Sequence, residues 1–252
     1  MIILAGMGLH DIKDMPLKVL EAAQSCEKIY AEFYTNLYHS TLDELSNELG
    51  KTVTQVKRSD LEEKLQTLVA EGAAKNTLIL VPGDPLTATT HIELLLEAKK
   101  QGVETEIIHA SSIYSAVAQT GLQIYKFGKT TTLASPEQGY NPTTPYRVIA
   151  ENKKHGMHTL VLLDVKAESG HYMTQKEGLK QLLLMESKYR SGAVEPATQV
   201  ISAARLGGCD QKIIYASAQK LKDTDLGSPP HVIIVPAQLH FKEEEALNLY
   251  KP

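Results

Sequence analysis

The chain has 252 residues, of which 42% are hydrophobic and 22% charged, and its 26 basic and 30 acidic side chains give a formal net charge of −4. These proportions are those of an ordinary globular protein with one large or two modest domains, and the slightly acidic balance argues against direct nucleic-acid binding. Cys26 and Cys209 are too few and too far apart for a disulfide framework or a paired-cysteine metal site, and no apolar run approaches the roughly 20 residues that span a bilayer.

The first half of the chain alternates predicted strands and helices. Residues 1–5 form a short apolar run that ends at Gly6, which predicts a buried strand and not a signal peptide, so we expect a cytoplasmic protein. An alternation of this kind predicts a mostly parallel sheet flanked by helices. Further strands are predicted at 28–31, 77–81 and 105–109, and helices at 17–26, 41–50, 59–72, 89–102 and 111–121.

Capping signals mark the ends of these helices. Thr41 precedes Glu44 by three residues, which is the spacing of a capping box, and Gly50 closes the same helix. Ser59 and Glu62 repeat this spacing, so Ser59 is predicted as the N-cap of the helix at 59–72. A serine is likewise predicted to cap the helix at 111–121.

The second half contains more β-branched residues and irregular loops, which predicts a mixed sheet. We therefore expect two α/β domains, at residues 1–112 and 113–252. His155 and His158 flank Gly156, which favours a surface turn over a metal site, and the charged run 242–245 predicts a solvated helix end. Strands are predicted at 129–134, 159–165, 198–206 and 231–235, and helices at 143–154 and 174–187.

Glycines follow the first predicted strand. Gly6 and Gly8 allow a close approach of the backbone to a ligand at the carboxyl end of that strand. A dinucleotide-binding fingerprint would need a third glycine at the position of Asp11. The motif therefore leaves open both a plain tight turn and a ligand-binding loop.

The loop at 82–91 is more distinctive, because it leaves a buried strand and enters a helix. Two prolines stiffen it, Gly83 exposes bare backbone, and Asp84 is its one carboxylate. One interpretation is a strand–helix turn in which Asp84 bonds its own loop. The position at the end of a strand favours the other interpretation, which is ligand binding.

The segment 109–113 also follows a predicted strand, and it admits two interpretations of equal weight. Either a serine only caps the next helix, or the backbone of Ser112 and Ile113 also holds the polar rim of a ligand. The signatures of zinc hydrolases, nucleophile elbows and P-loops are absent from the sequence.

These loops together resemble the tetrapyrrole methylase superfamily, whose members are S-adenosylmethionine-dependent methyltransferases of two α/β domains. Longer motifs narrow the resemblance to the diphthine synthase family over essentially the whole chain. His10 departs from that family, in which an aromatic or small residue is more usual at this position. The motifs that carry the resemblance lie at 6–9, 30–35, 82–91, 109–113 and 121–128.

The resemblance implies a specific reaction. Members of the family methylate the amino group of a modified histidine, the diphthamide precursor, on translation elongation factor 2, and the compact chain favours the archaeal type, which gives diphthine by three transfers. It implies S-adenosylmethionine as cofactor, with S-adenosylhomocysteine as product and no metal, and a homodimer. The cofactor would lie in a cleft between the two domains and contact Leu9, Asp84, Thr87, Ser112, Ile113, Leu163, Ala204 and His231.

Two other functions compete with this interpretation. The same fold could methylate a small corrin or porphyrin precursor, although the motifs at 88–91 and 121–128 speak against it. A nucleotide-binding module without catalysis is the second alternative. The sequence identifies no catalytic residue, and in particular no group that takes the proton of the substrate amine.

Overall fold

The computed structural model describes residues 1–136 and 142–252, and the chain divides into two units, Met1–Ala116 and Val117–Pro252. The sequence predicted a division after residue 112, and that domain boundary stays a prediction. No helix among the described residues is both long and apolar enough to cross a membrane.

The first unit is built on a five-stranded sheet in which every strand pairs in parallel with its neighbours. The strand order is β3-β2-β4-β1-β5, so the carboxyl ends of all five strands lie at one edge. The short strand β3 was not predicted, because its two central residues are exposed and polar at the side of the sheet. The strands are β1 (Ile2–Gly6), β2 (Lys28–Glu32), β3 (Val53–Val56), β4 (Thr77–Val81) and β5 (Thr105–Ile108).

Helices flank this sheet, as the alternating pattern predicted. The capping box of α2 is confirmed: the Thr41 hydroxyl accepts from the Glu44 backbone N–H, the Glu44 carboxylate accepts from Thr41 N–H, and Gly50 ends the helix at φ +65°. The helices are α1 (Leu17–Ser25), α2 (Leu42–Leu49), α3 (Arg58–Glu62), α4 (Leu65–Ala74), α5 (Ile92–Lys100) and α6 (Ile113–Ala116).

The single helix predicted at 59–72 is wrong. The N-cap of α3 is Lys57 and not Ser59, because Asp60 lies three residues after Lys57 and its carboxylate accepts from Lys57 N–H at 3.0 Å. The Ser59 carbonyl then accepts from two successive amides, which ends α3 and lets α4 begin separately. A charged acceptor at the third helical position thus shifts the start of the helix by two residues.

The helix predicted at 89–102 begins later, at Ile92. Ala88 has φ +57°, in the left-handed region, and the Thr89 hydroxyl donates to the Pro85 carbonyl at 2.6 Å. These two features keep the segment before His91 in a turn conformation.

The second unit contains the mixed sheet that the sequence predicted. Its order is β11-β10-β12-β7-β6, with β6 parallel to β7 and the other pairs antiparallel. Its core joins the sheet to α7 and α8 through side chains such as Ile149, Val161 and Leu179. The elements are β6 (Thr131–Leu133), α7 (Thr144–Lys154), β7 (Thr159–Leu163), β8 (Val165–Lys166), β9 (His171–Tyr172), α8 (Gln175–Tyr189), β10 (Gln199–Ala204), β11 (Lys212–Ser217), α9 (Ala218–Asp223), β12 (His231–Val235) and α10 (Phe241–Leu247).

A buried ionic cluster corrects two expectations in this unit. Glu243 lies in the run predicted as a solvated helix end, yet it is 1% exposed, and His158, predicted in a surface turn, is fully buried. The ring of His158 accepts from Ala237 N–H at Nδ1 and donates from Nε2 to Glu243 at 3.0 Å. The Lys126 ammonium also contacts the Glu243 carboxylate. Periodicity could not reveal this burial, because the partners lie far apart in sequence.

The cluster explains the motif at 121–128. Glu243 accepts from the Gln123 backbone N–H at 2.9 Å, while Lys126 and Gly128 exchange backbone hydrogen bonds with His158. A Cβ atom at Gly121 would lie 2.2 Å from the Ala246 side chain, so only glycine fits there. The motif is therefore held by internal contacts.

Replacing Glu243 with Gln is expected to lower the free energy of unfolding by about 3 kcal/mol, because it breaks the ion pair between the buried Glu243 carboxylate and the partly exposed Lys126 ammonium. Desolvation opposes ionisation of Glu243, but hydrogen bonds from His240, Lys126 and Gln123 outweigh it and lower its pKa to about 2. Its stabilisation is therefore present above pH 4.5 and is lost as the pH falls towards 2.

Urea denaturation at pH 7 measures this loss. Glu245→Gln is the matched control, since Glu245 lies in the same helix, is exposed and pairs with Lys242. We expect this control to change stability by less than about 0.5 kcal/mol. Equal effects of the two substitutions would show that the buried cluster contributes nothing beyond a surface pair.

Candidate methyltransferase site

Three loops meet at the carboxyl edge of the first unit's sheet, after the adjacent strands β4, β1 and β5. Gly8 and Gly83 join two of these loops, because each donates its N–H to the carbonyl of the other, at 3.3 and 2.8 Å. The segment that carries Leu9 is thereby fixed beside the loop that carries Asp84 and Thr87. The structure thus brings together predicted residues from distant parts of the sequence.

Two glycines in this region have different roles. A Cβ atom at Gly6 would lie 2.4 Å from the Gly83 carbonyl oxygen, so Gly6 is required by the packing of the loops. Gly83 has φ +73°, and a Cβ built there would meet no described atom within 4 Å. Open space next to bare backbone is what the close approach of a ligand requires.

The Asp84 side chain joins the loops after β4 and β5. One carboxylate oxygen accepts from Leu86 N–H at 3.0 Å and from the Thr87 hydroxyl at 3.1 Å. The other accepts from His109 Nδ1 at 2.7 Å and from Ala110 N–H at 3.3 Å. Desolvation opposes ionisation, but these four hydrogen bonds outweigh it and lower the pKa of Asp84.

This geometry bears on the two interpretations of Asp84. The hydrogen bonds within its own loop are present, and a bond to the β5 loop is added, which the sequence did not predict. Asp84 is 7% exposed and its hydrogen bonds join two loops, whereas direct contact with a ligand stays a prediction. Thr87 directs its hydroxyl to Asp84 and is fixed with it.

The helix predicted at 111–121 begins with one turn of α-helix, α6, and continues as a 3-10 helix over Val117–Thr120, with Ser112 directly before α6. Ser112 stands at the N-cap position, as predicted, because its carbonyl accepts from Ala116 N–H at 2.9 Å, but its hydroxyl makes no capping hydrogen bond to a described residue. Instead, the Ser115 hydroxyl donates to the Ser112 carbonyl and accepts from Ser112 N–H. A contact of Ser112 and Ile113 with a ligand remains a prediction.

In the second unit, the structure aligns the three predicted residues across adjacent strands. Ala204 ends β10 and is paired directly with His231, the first residue of β12. Leu163 ends β7, and the residue before it, Leu162, is paired with Val232. The three residues therefore lie side by side at one edge of the mixed sheet.

The His231 ring is fixed in one tautomer. Its Nδ1 accepts from Gln175 N–H at 3.2 Å, and its Nε2 donates to the Ser228 carbonyl at 3.0 Å. Burial lowers the pKa of His231, so the ring is neutral near pH 7. Both ring nitrogens are occupied by the protein, which leaves the backbone and the ring face for a ligand.

The loop before His231 is held by a buried arginine. The Arg205 guanidinium donates to the Leu226 carbonyl at 2.9 Å, to the Ser228 carbonyl and to Asp210. Arg205 directly follows Ala204 and is 4% exposed. It thus fixes the end of β10 and the start of β12, where two of the predicted cofactor contacts, Ala204 and His231, lie.

Sequence reasoning missed a buried cluster after β2. The Glu32 carboxylate is fully buried and accepts from Tyr34 N–H at 2.8 Å, from Thr35 N–H at 3.0 Å and from the Thr35 hydroxyl. The Tyr34 hydroxyl lies 3.4 Å from His91 Nε2, which is itself 3.9 Å from Glu32 Oε1. The motifs at 30–35 and 88–91 are visible in the sequence, but the contact between them forms only in the tertiary structure.

The titration of this cluster is unusual. Burial raises the pKa of Glu32 to about 7 against the hydrogen bonds that favour its charge, and burial lowers the pKa of His91 to about 4. The Pro85 carbonyl favours the charged form of His91 from nearby, yet Nδ1 forms no hydrogen bond to any residue in the described ranges.

Residues 1–222 match the family of Tetrapyrrole (Corrin/Porphyrin) Methylases. The chain is 47% identical over 251 residues to the diphthine synthase of Methanocaldococcus jannaschii, with 98% of each chain covered. It is also 47% identical to that of Methanococcus aeolicus, with 98% and 97% covered. A crystal structure of a diphthine synthase superposes with a TM-score of 0.91 at 35% identity and covers 100% of this chain and 97% of its own.

These matches first define a class, the tetrapyrrole methylases, which are methyltransferases, and the two α/β units and their sheets agree with it. Within that class, the chain belongs to the diphthine synthase family. The interpretation as a methyltransferase is confirmed.

Replacing Asp84 with Asn is expected to lower the free energy of unfolding by about 1–3 kcal/mol. Both carboxylate oxygens of Asp84 accept hydrogen bonds, whereas the amide of asparagine has a single acceptor oxygen, so the donors at the other position lose their partner. Since the pKa of Asp84 is lowered, its contribution is present above pH 3.8 and is lost as the pH falls below that value.

Chemical denaturation at pH 7 measures this change against Asp43→Asn as control. Asp43 is an exposed carboxylate in the first turn of α2. The control should change stability by no more than about 0.5 kcal/mol. If Asp84→Asn is no more destabilising than Asp43→Asn, then Asp84 does not hold the two loops together.

Proposed function

We propose that the chain transfers methyl groups from S-adenosylmethionine to the amino group of the modified histidine of translation elongation factor 2, giving diphthine by three successive transfers. The observation that carries this proposal is the 47% identity to a diphthine synthase over 98% of both chains. The motifs at 30–35 and 88–91 support it further, because they converge on one buried cluster beside the loop of Asp84.

The residues at the two sheet edges suit S-adenosylmethionine. This molecule carries a sulfonium, an ammonium and a ribose, and the ionised Asp84, the Thr87 hydroxyl and the open backbone at Gly83 offer a negative charge, a hydroxyl and a close approach. The cofactor supplies an activated methyl group. The residues that would hold it are Leu9, Asp84, Thr87, Ser112 and Ile113 in the first unit, and Leu163, Ala204 and His231 in the second.

The reaction depends mainly on the alignment of the attacking amine with the methyl group of the cofactor. Methyl transfer from a sulfonium is an in-line displacement with a good leaving group, and positioning can supply roughly 7–11 kcal/mol of the barrier. Fixed loops, such as those joined by Gly8, Gly83 and Asp84, suit this requirement. The attacking amine must be neutral, so the ammonium group loses one proton before each of the three transfers.

The partners follow from the same proposal. The chain would act in the cytoplasm as a homodimer, with elongation factor 2 as its protein substrate and without binding to a membrane or to nucleic acid. Full-length identity to diphthine synthases favours the protein substrate over a small tetrapyrrole precursor.

The test is incubation with methyl-labelled S-adenosylmethionine and elongation factor 2 that carries the unmethylated histidine derivative, followed by mass spectrometry of the factor. We expect three added methyl groups on the modified histidine and no label on uroporphyrinogen. Elongation factor 2 with its target histidine replaced is the matched control. Label on uroporphyrinogen alone would contradict the proposal.

Calorimetry tests the predicted cofactor contact at Asp84. Asp84→Asn should weaken S-adenosylmethionine binding about 10- to 100-fold, as expected when a hydrogen bond to a charged group is lost. Asp43→Asn should bind as the wild type does, and the wild type should not prefer NAD. Unchanged affinity of Asp84→Asn would remove Asp84 from the cofactor site and leave it a role in the fold alone.

A further inference from the structure

The cluster of Glu32, Tyr34 and His91 lies where it can act on the loop of Asp84. Glu32 is the last residue of β2, which is the neighbour of β4 in the sheet. His91 ends the loop that begins after β4. This loop is therefore anchored at both ends, by Asp84 to the loop after β5 and by His91 to the segment after β2.

The pKa of Glu32 is shifted in the opposite direction to those of the other buried carboxylates. Of the buried carboxylates in the part of the chain that the structure describes, Asp84, Glu186 and Glu243 have lowered pKa values, and Glu32 alone has a raised one. By linkage, a raised pKa means that Glu32 favours the folded state at low pH and loses that contribution as the pH rises through about 7. A buried acid that costs stability at neutral pH is a candidate for a functional role.

Two charged side chains of α3 lie beside the cluster. Arg58 of α3 lies over the Tyr34 ring, 5.3 Å from its centroid, and its charge favours ionised Glu32. Glu62 of the same helix accepts from the Thr90 hydroxyl at 3.4 Å. His91 is neutral near pH 7, so Glu32 is the group of this cluster that titrates between pH 6 and 8.

We infer that Glu32, Tyr34 and His91 form a positioning site that fixes the far end of the 82–90 loop, and that full cofactor affinity requires the ionised carboxylate of Glu32. The ionised carboxylate holds Tyr34 N–H and Thr35 N–H with charge-assisted bonds and so keeps the phenol against His91. Protonation weakens these bonds and loosens the loop. This inference rests on the proposed function, because it takes S-adenosylmethionine as the ligand of that loop.

The test compares the dissociation constant for S-adenosylmethionine of the wild type and of Glu32→Gln at pH 6 and pH 8. Between these values the ionised fraction of a group with a pKa of about 7 changes about tenfold. We expect Glu32→Gln to bind about tenfold more weakly than the wild type at pH 8 and about equally at pH 6. Titration of the ligand itself cancels in this ratio.

Thermal denaturation of the wild type and of Glu32→Gln separates this role from a merely structural one, because the two roles predict opposite changes in melting temperature. Glu32→Gln should raise the melting temperature at pH 8, because the neutral amide avoids burial of a charge, and the difference should shrink towards pH 5. A gain in stability together with a loss of affinity supports the inference. A loss of stability with unchanged affinity overturns it.

A second pair of variants tests the positioning role of the cluster if Glu32→Gln does not fold. Tyr34→Phe keeps the ring and removes the hydroxyl that contacts His91, whereas Tyr30→Phe removes a hydroxyl of β2 that bonds Glu71 of α4. We expect three- to tenfold weaker binding at pH 8 for Tyr34→Phe and no change for Tyr30→Phe. The inference is overturned if Tyr34→Phe and Tyr30→Phe bind S-adenosylmethionine equally well. It is also overturned if the ratio of the dissociation constants of Glu32→Gln and the wild type does not vary with pH. Either result leaves the proposed function intact. Absence of wild-type binding at pH 8 overturns the proposed function and this inference with it.

Discussion

The candidate site in the first unit depends on one interaction, the acceptance of hydrogen bonds by Asp84 from two different loops. Its carboxylate spans from the loop after β4 to the loop after β5, although β1 lies between these strands in the sheet. Gly6 makes this possible, because any larger residue at the end of β1 would collide with the Gly83 carbonyl. An ionised acceptor at this point therefore fixes the distance between the two loops. The cofactor contacts that we propose in this unit all lie on the loops that Asp84 and the Gly8–Gly83 pair hold in register.

The buried carboxylates of the chain illustrate two different uses of charge. Glu186 accepts from Gly192 N–H, Val194 N–H and the Tyr146 hydroxyl, and it closes a loop after α8. Glu243 does the same for the segment after Gly121. In both, hydrogen bonds outweigh the cost of desolvation, and the charge stabilises the fold. Glu32 has three donors as well, yet burial outweighs them. Hydrogen bonds from the protein are thus not sufficient to keep a buried acid ionised, and the exception occurs beside the loop that we assign to the cofactor.

The elements with strong local signals could be predicted from the sequence. Strands β1 and β4 are continuous apolar runs, and α2 carries its own capping box, so tertiary contacts were not needed to identify them. The helix at 59–72 was mispredicted, because the Asp60 carboxylate moves the N-cap to Lys57 and the Ser59 carbonyl accepts the two amides that end α3. The candidate site was partly predictable: the loop at 82–91 stands out locally, but its bonds to His109 and to Tyr34 join residues 25 and 57 positions apart. No local pattern encodes such pairs.

The anchoring of Gln123 and Lys126 by Glu243 has a consequence for the order of folding. These contacts join residues 120 and 117 positions apart, whereas the sheet of the first unit is complete once residue 108 has been made. On a ribosome, which adds residues from the N-terminus, the first unit can close its sheet early. The segment at 121–128 must wait for α10 before the Lys126 ammonium and the Gln123 amide find the Glu243 carboxylate. During that interval the segment lacks the buried acceptor that Glu243 supplies in the folded chain.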